Sequence, residues 1–172
     1  MFVGNNLDCV AKFRERQESG NAHGDEPKVM PTWQRLYRLL DRAGLDYRRC
    51  FFTNAYVGLA VTESNEGDPK VPPGTPFDLW CARFLTAQIE EMQPKAIVTL
   101  GGVARRALGR WLNVPSWART KAPPLGSVPV AAAVGAALVH PSGQTRNYHR
   151  ATYEGLVGLE AEARLLCEVT TR

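Results

Sequence analysis

The chain has 172 residues, of which 44% are hydrophobic and 22% charged; this composition argues against disorder and predicts one globular domain spanning residues 1–172. No apolar run reaches the roughly 18–20 residues of a membrane span, and the start lacks the features of a secretory signal, so we expect a cytoplasmic protein with no membrane role. The net charge of +4 modestly favours a polyanionic partner, and four scattered cysteines without a C-x-x-C pair favour reduced thiols over a metal site.

The first third of the chain predicts two strands on either side of one helix. Phe2-Val3 reads as a short buried strand ending at Gly4, followed by a long loop from Asn5 to Lys28. A helix follows Pro31, because apolar residues then recur at helical spacing: Trp33, Leu36, Leu39 and Leu40. Cys50-Phe51-Phe52 predicts a second strand that halts at Thr53-Asn54.

The remainder of the chain alternates helices with buried strands. A helix is predicted over Phe77–Met92, with an apolar face formed by Leu79 or Trp80, Phe84, Leu85, Ile89 and Met92. Ala96–Leu100 predicts a strand that turns through Gly101-Gly102 into a third helix. Val128–Val139 supplies one or two more strands, and Tyr148–Val169 a final helix with Leu156, Leu159, Ala163 and Leu166 on one face.

This alternation predicts an α/β protein, a three-layer α/β/α sandwich around a mostly parallel four-stranded sheet. Ligands of such sheets bind at the carboxyl ends of the strands. We therefore expect four segments to converge there: Gly4–Asp8, Thr53–Tyr56, Gly101-Gly102 and His140–Ser142.

Each of these segments has a structural alternative. Gly101-Gly102 before a helix can present N–H groups to a phosphate, but no nucleotide-binding signature accompanies it, which favours a plain strand-to-helix turn. Asn5-Asn6 and Asn54 are ordinary residues of turns and caps when taken singly. His140 follows an apolar strand and precedes Pro141, a place where a core histidine has little reason to be, although a lone histidine at a strand end is also found without a functional role.

Taken together, the three motifs resemble a known family. Strands ending in Gly-x-Asn, Thr-Asn and His-Pro-Ser, in this order, are similar to those of the uracil-DNA glycosylase superfamily. The stretches RLLDRAGLDYRRCFFTNAY and RFLTAQIEEMQPKAIVTLGGVARRAL look especially like the middle of its bacterial members.

The resemblance implies a role for each motif residue. Asn6 would orient the attacking water, with Asp8 as a second candidate to assist it, and Asn5 would contact the substrate. Asn54 would read the O4 and N3–H edge of uracil, and His140 would donate to O2 as the base departs with negative charge.

The base-stacking aromatic residue of the family is not evident, so Met30 and Trp33 are candidates for it. The resemblance also implies a set of DNA contacts: Ser142, Gln144, Arg146, Arg150, Gly101 and Gly102. Cys81 falls at a place resembling one ligand of the iron–sulfur branch, but the accompanying cysteines are missing, so we predict no cluster, no metal and no cofactor.

The leading hypothesis is therefore a monomeric DNA glycosylase of base excision repair, which flips uracil out of DNA and leaves an abasic site. The alternative is a relative that keeps the fold and binds nucleic acid with little or no turnover, because Leu7-Asp8 departs from the usual first motif. A third, weaker hypothesis is a nucleotide-binding enzyme that uses the Gly101-Gly102 turn.

Overall fold

The fold is taken from a computed structural model. It describes residues 1–10, 14, 15, 18, 31–60, 71–119, 121, 124–141 and 151–171, and of residues 6–9, 31, 59 and 60 the backbone alone. The strands are β1 (Phe2–Cys9), β2 (Phe52–Ala60), β3 (Ala96–Leu100), β4 (Ser127–Val130), β5 (Ala133–Leu138), β6 (Thr152–Tyr153) and β7 (Leu156–Val157). The helices are α1 (Pro31–Arg42), α2 (Pro76–Met92), α3 (Gly102–Trp111), α4 (Pro115–Ala118) and α5 (Gly158–Thr171), with a 3-10 turn at Tyr47–Arg49.

The central sheet has the strand order β2-β1-β3-β5-β4. Strands β2, β1, β3 and β5 are mutually parallel, and β4 pairs antiparallel with β5 at the edge. The predicted α/β class and mostly parallel sheet are confirmed. The sheet has five strands rather than four, because Val130 pairs with Ala133 across a tight turn in which Ala131 has a φ of 52°.

Helices cover both faces of the sheet, as the three-layer prediction requires. On one face, Leu36, Leu39 and Leu40 of α1 and Leu165 and Leu166 of α5 pack against the sheet. On the other face, residues of α2, α3 and α4 form a second core, which includes Cys81, Leu85, Leu108 and Trp117. No helix within the described ranges combines the length and the apolar character that crossing a membrane requires.

Strands β1 and β2 are longer than predicted. The expected ends at Gly4 and Asn54 are wrong, because the two strands stay paired through Asn6–Tyr56 and on to Cys9–Ala60. β1 pairs with β3 only at Phe2 and Val3, so its later residues form a two-stranded ribbon with β2 beyond the end of β3. On the β2 side of this ribbon Ala55 and Tyr56 are buried, whereas the polar residues of β1 are held there by backbone pairing with β2.

The predicted apolar face of α2 is largely wrong. Leu79, Trp80, Phe84 and Met92 are exposed, whereas Leu85 is buried beside Cys81, which was not part of the predicted face, and beside Asp78, a charged residue that a hydrophobicity pattern does not select. A polar network turns the helix this way: Asp78 accepts hydrogen bonds from the Tyr56 hydroxyl, the Gly74 N–H and the Arg110 guanidinium.

The predicted start of the last helix is also wrong. Leu156 lies in the β6–β7 hairpin, and α5 begins at Gly158. The hairpin turn has positive φ at both central residues, Glu154 at 49° and Gly155 at 78°, a combination that reverses the chain tightly and cannot continue a helix.

Candidate functional site

The carboxyl edge of the sheet, meaning the end where β3 and β5 stop, holds two close contacts between a glycine and a polar side chain. At the first, Gly4 of β1 lies in register with Asn54 of β2. A Cβ on Gly4 would collide with Oδ1 of Asn54, so the absence of a side chain lets the amide lie against the backbone of the neighbouring strand. Within the described part of the chain, no hydrogen bond holds the Asn54 amide.

At the second contact, His140 lies against Gly101. Gly101 ends β3 with a φ of 92°, a left-handed conformation that favours glycine, and its N–H donates to the Leu138 carbonyl. A Cβ on Gly101 would lie 2.8 Å from the Cβ of His140 and 3.3 Å from its Cδ2. The glycine therefore both forms the turn into α3 and makes room for the imidazole.

The two contacts are neighbours along the sheet edge, because β1 of the first contact pairs with β3 of the second. Val3 of β1 is level with Thr53 on one side and Thr99 on the other, so Asn5 lies beside the end of β3. Asn5 is half-buried, and its Oδ1 is a buried acceptor with no hydrogen-bond partner among the described residues. Because an unsatisfied buried acceptor is costly, an acceptor of this kind at the carboxyl edge is typical of a ligand-binding position.

The His140 ring is half-buried, and this burial lowers the pKa of the imidazole below its ordinary value of 6.5. His140 is therefore neutral at neutral pH. A neutral imidazole carries one N–H, and this group can donate a hydrogen bond to an anion.

Sequence analysis missed Glu162, which supports the segment just before His140. Glu162 is 0% exposed, and its Oε1 accepts a hydrogen bond of 2.6 Å from the Val139 N–H. A pattern signal was available: Glu162 is a charged residue between the apolar positions Leu159 and Leu166 on the buried face of α5. A carboxylate buried in an apolar helix face requires a specific partner.

Two arginines of α3, Arg105 and Arg110, differ in how accessible they are to a ligand. Arg105 is buried, and its guanidinium donates to the carbonyls of Trp117 and Arg119, so it connects α3 to the α4 segment and is not available to a polyanion. Arg110 is partly exposed and contacts Asp78. The exposed Gly102 begins α3, where the helix dipole favours a negative ligand.

Several predicted site residues, or their side chains, lie outside the part of the chain that the structure describes. Asn6 and Asp8 lie in β1, and of their side chains nothing is described. Met30 lies outside the described residues, as do the four predicted DNA contacts Ser142, Gln144, Arg146 and Arg150. Trp33 is described: its ring packs edge-on against Phe52 at 5.3 Å, two residues before Asn54.

Metal-ligating side chains are not grouped in the part of the chain that the structure describes. No cluster there combines three or more His, Cys, Asp or Glu side chains. Cys81 is buried, and burial raises the pKa of its thiol above the ordinary value.

A family model matches most of the chain. Residues 11–161 match the family described as the uracil DNA glycosylase superfamily, a range that contains Asn54, Gly101 and His140 and begins after Asn5, Asn6 and Asp8. No curated protein matches the chain. The family match supports a glycosylase-like function on DNA in general terms. Because this match spans most of the chain, the chain belongs to the uracil DNA glycosylase superfamily.

Proposed function

We propose that the protein is a uracil-DNA glycosylase that flips uracil out of DNA and hydrolyses its N-glycosidic bond. The observation that carries the proposal is the pair of contacts at the carboxyl edge, in which the His140 imidazole and an Asn54 amide with no hydrogen bond to the described residues lie on neighbouring parts of one sheet edge. A hydrogen-bond donor for a departing base and an amide for its edge are the two groups that this reaction needs.

The reaction breaks the bond between C1′ of the deoxyribose and N1 of uracil. The bonding electron pair leaves with uracil, and the sugar becomes oxocarbenium-like. His140 donates a hydrogen bond to O2 as negative charge develops there, an interaction that is stronger in the transition state than in the bound substrate. Water then adds its oxygen to C1′ and loses a proton, the uracil anion gains one, and the products are uracil and an abasic site.

Selection of the base is assigned to Asn54. Its N–H group would donate to uracil O4, and its carbonyl oxygen would accept from N3–H. Cytosine presents a donor and an acceptor in the reverse order, which would leave polar groups unpaired in the site. The close approach of Gly4 supports this role, because it restricts the positions that the Asn54 amide can occupy.

The water is assigned to the first motif. Asn6 would orient it, Asp8 is the second candidate, and the unsatisfied Oδ1 of Asn5 is an acceptor for a substrate N–H or for the water itself. An amide orients water but does not take its proton, which suits a reaction in which the sugar is already cationic when water arrives. DNA phosphates would contact the α3 N-terminus at Gly101-Gly102 and the segment containing Ser142, Gln144, Arg146 and Arg150.

The test uses end-labelled oligonucleotides that are identical except for one central uracil, thymine or cytosine. After incubation with the protein, alkali converts each abasic site into a strand break, and we expect breaks only at uracil. Salt-sensitive binding of all three oligonucleotides without any break would replace the proposal with the binding-only alternative. Breaks at all three bases would contradict the role of Asn54. If the protein neither binds nor cleaves any of the three oligonucleotides, the proposal is overturned.

A further inference from the structure

The α2 helix exposes three aromatic side chains, Phe77, Trp80 and Phe84, which we call the aromatic ladder. Their exposed fractions are 39%, 52% and 41%. Their spacing along the helix, three and then four residues, places them on one face. A contiguous exposed apolar patch of this kind marks an interaction site more often than isolated apolar side chains do.

The rings of the aromatic ladder are nearly parallel. Phe77 and Trp80 have centroids 6.4 Å apart and planes 16° apart, and Trp80 and Phe84 have centroids 5.6 Å apart and planes 12° apart. Tyr56 of β2 continues the series beyond Phe77 at 6.3 Å and 23°. With near-parallel planes and short centroid separations, the rings of the aromatic ladder form one continuous aromatic surface.

The opposite side of α2 fixes the orientation of the aromatic ladder. Asp78 receives hydrogen bonds from Tyr56, Gly74 and Arg110, and Gln88 accepts a bond of 3.0 Å from the Thr53 hydroxyl. The helix is thus held to β2 through its buried face, and the three rings face outward on a supported surface.

The aromatic ladder begins near the candidate site. The Phe77 ring covers Gly58 of β2, where an added Cβ would lie 2.7 Å from the Phe77 Cζ. Gly58 follows Asn54 by four residues in the same strand, a distance of roughly 13 Å at about 3.3 Å per residue. A DNA strand whose target base occupies the carboxyl edge can reach the aromatic ladder within a few nucleotides.

Among the described residues, the charges on α2 nearest the aromatic ladder fit a polyanion. Arg83 is exposed between Trp80 and Phe84, and the carboxylate of Asp78 is buried against Arg110. The other carboxylates of α2, Glu90 and Glu91, come in its last turn. A symmetric contact with a second copy would bring two Arg83 side chains together, which disfavours self-association through this face.

We propose that the aromatic ladder binds single-stranded DNA by stacking unpaired bases that flank the target nucleotide. Bases in a duplex are already stacked on one another, whereas those of a single strand have free faces, and stacking on aromatic side chains tolerates any sequence. The inference rests on the proposed function only for placing the target base at the carboxyl edge, and it assigns single-stranded DNA as the preferred substrate.

The experiment measures binding of an undamaged thymine oligonucleotide through quenching of tryptophan emission. Trp80 is the exposed tryptophan, whereas Trp33 and Trp111 are half-buried and Trp117 is buried. Trp80→Phe should therefore remove most of the quenching. The affinity of Trp80→Phe, measured by anisotropy of a labelled strand, should be retained. Trp80→Ala and Phe84→Ala should each weaken binding by roughly 5- to 150-fold, the range for loss of one stacked base. Leu79→Ala and Met92→Ala are matched controls, because both side chains are exposed on α2 outside the aromatic ladder and should leave the affinity unchanged.

Several outcomes would overturn the inference: unchanged affinity in Trp80→Ala and Phe84→Ala, equal competition by duplex DNA, or wild-type dimers in light scattering that Trp80→Ala dissociates without an effect on DNA. Binding that depends on the ladder in a protein that excises no uracil would support the inference and contradict the proposed function. Excision of uracil by a protein whose DNA affinity is unchanged in the ladder variants would support the proposed function and contradict the inference.

Discussion

The two halves of the carboxyl edge hold their polar side chains in different ways. In the β3–β5 half, Gly101 turns the chain sharply, and the buried carboxylate of Glu162 fixes the backbone of Val139, so His140 is supported from two sides. In the β1–β2 half, Asn54 lies in an extended ribbon and is positioned by the close approach of Gly4. The half proposed to stabilise the leaving base is built into the core, and the half proposed to read the base depends on backbone proximity.

The largest expected effect comes from closing the space under the imidazole. Gly101→Ala should lower single-turnover uracil excision about 100-fold or more, approaching His140→Ala, because the new methyl group displaces the donor to the developing anion. Gly44→Ala is the matched control: Gly44 also has positive φ, at 69°, but has open space around its Cα, so it carries the backbone strain alone. Equal losses in both variants would attribute the effect to strain rather than to His140.

The next prediction concerns the β1–β2 half. Asn54→Asp should relax the preference for uracil over cytosine by roughly tenfold or more, since a carboxyl group presents a different pattern of donors and acceptors to the base. The measurement is excision from the paired uracil and cytosine oligonucleotides. Asn113→Asp, an exposed turn residue with a φ of 52°, serves as control, and full uracil preference in Asn54→Asp would remove Asn54 from base selection.

A smaller effect is expected from the support behind His140. Glu162→Ala leaves the Val139 N–H without its acceptor, a loss of roughly 1–3 kcal/mol in unfolding free energy, and we expect excision to fall several-fold at 25 °C. Glu162→Gln keeps an oxygen acceptor and should retain most of the excision rate.

The control for Glu162 is Leu166→Ala in the same helix, which removes buried volume at a cost of roughly 2–5 kcal/mol but keeps the hydrogen bond from the Val139 N–H to Glu162. If the folded Leu166→Ala protein loses excision as much as Glu162→Ala does, the effect belongs to global stability. A loss confined to Glu162→Ala supports a positioning role.

The smallest prediction concerns stability against pH. Because burial lowers the pKa of His140 below 6.5, the unfolded chain takes up a proton at a higher pH than the folded chain. The unfolding free energy should therefore fall, by at most about 1.4 kcal/mol per pH unit, as the pH drops from about 6.5 toward the folded pKa. His140→Gln should reduce this fall in denaturant titrations at pH 7.5 and 5.5, and identical falls in both proteins would show that the imidazole is not desolvated.

Sequence reasoning found the β3–β5 half more reliably than the β1–β2 half. Ala96–Leu100 is apolar on both faces and ends in two glycines, so its strand and turn were predictable from composition alone. The extension of β1 past Gly4 was not predictable from the sequence, because backbone pairing with β2 leaves no hydrophobic pattern in this part of β1. The exposed face of α2 was missed for a related reason: the hydrogen bonds of Asp78 join residues from three elements, and no local pattern records them.

The edge strand β4 has a consequence for association between molecules. Val134 donates its N–H toward β3, so its partner Pro129 in the antiparallel pair has its backbone nitrogen on the open side of β4. Proline has no N–H, which leaves Ser127 as the outward donor of this four-residue strand. A second chain that approached this edge would find too few donors to extend the sheet, so Pro129 disfavours strand-by-strand association through β4.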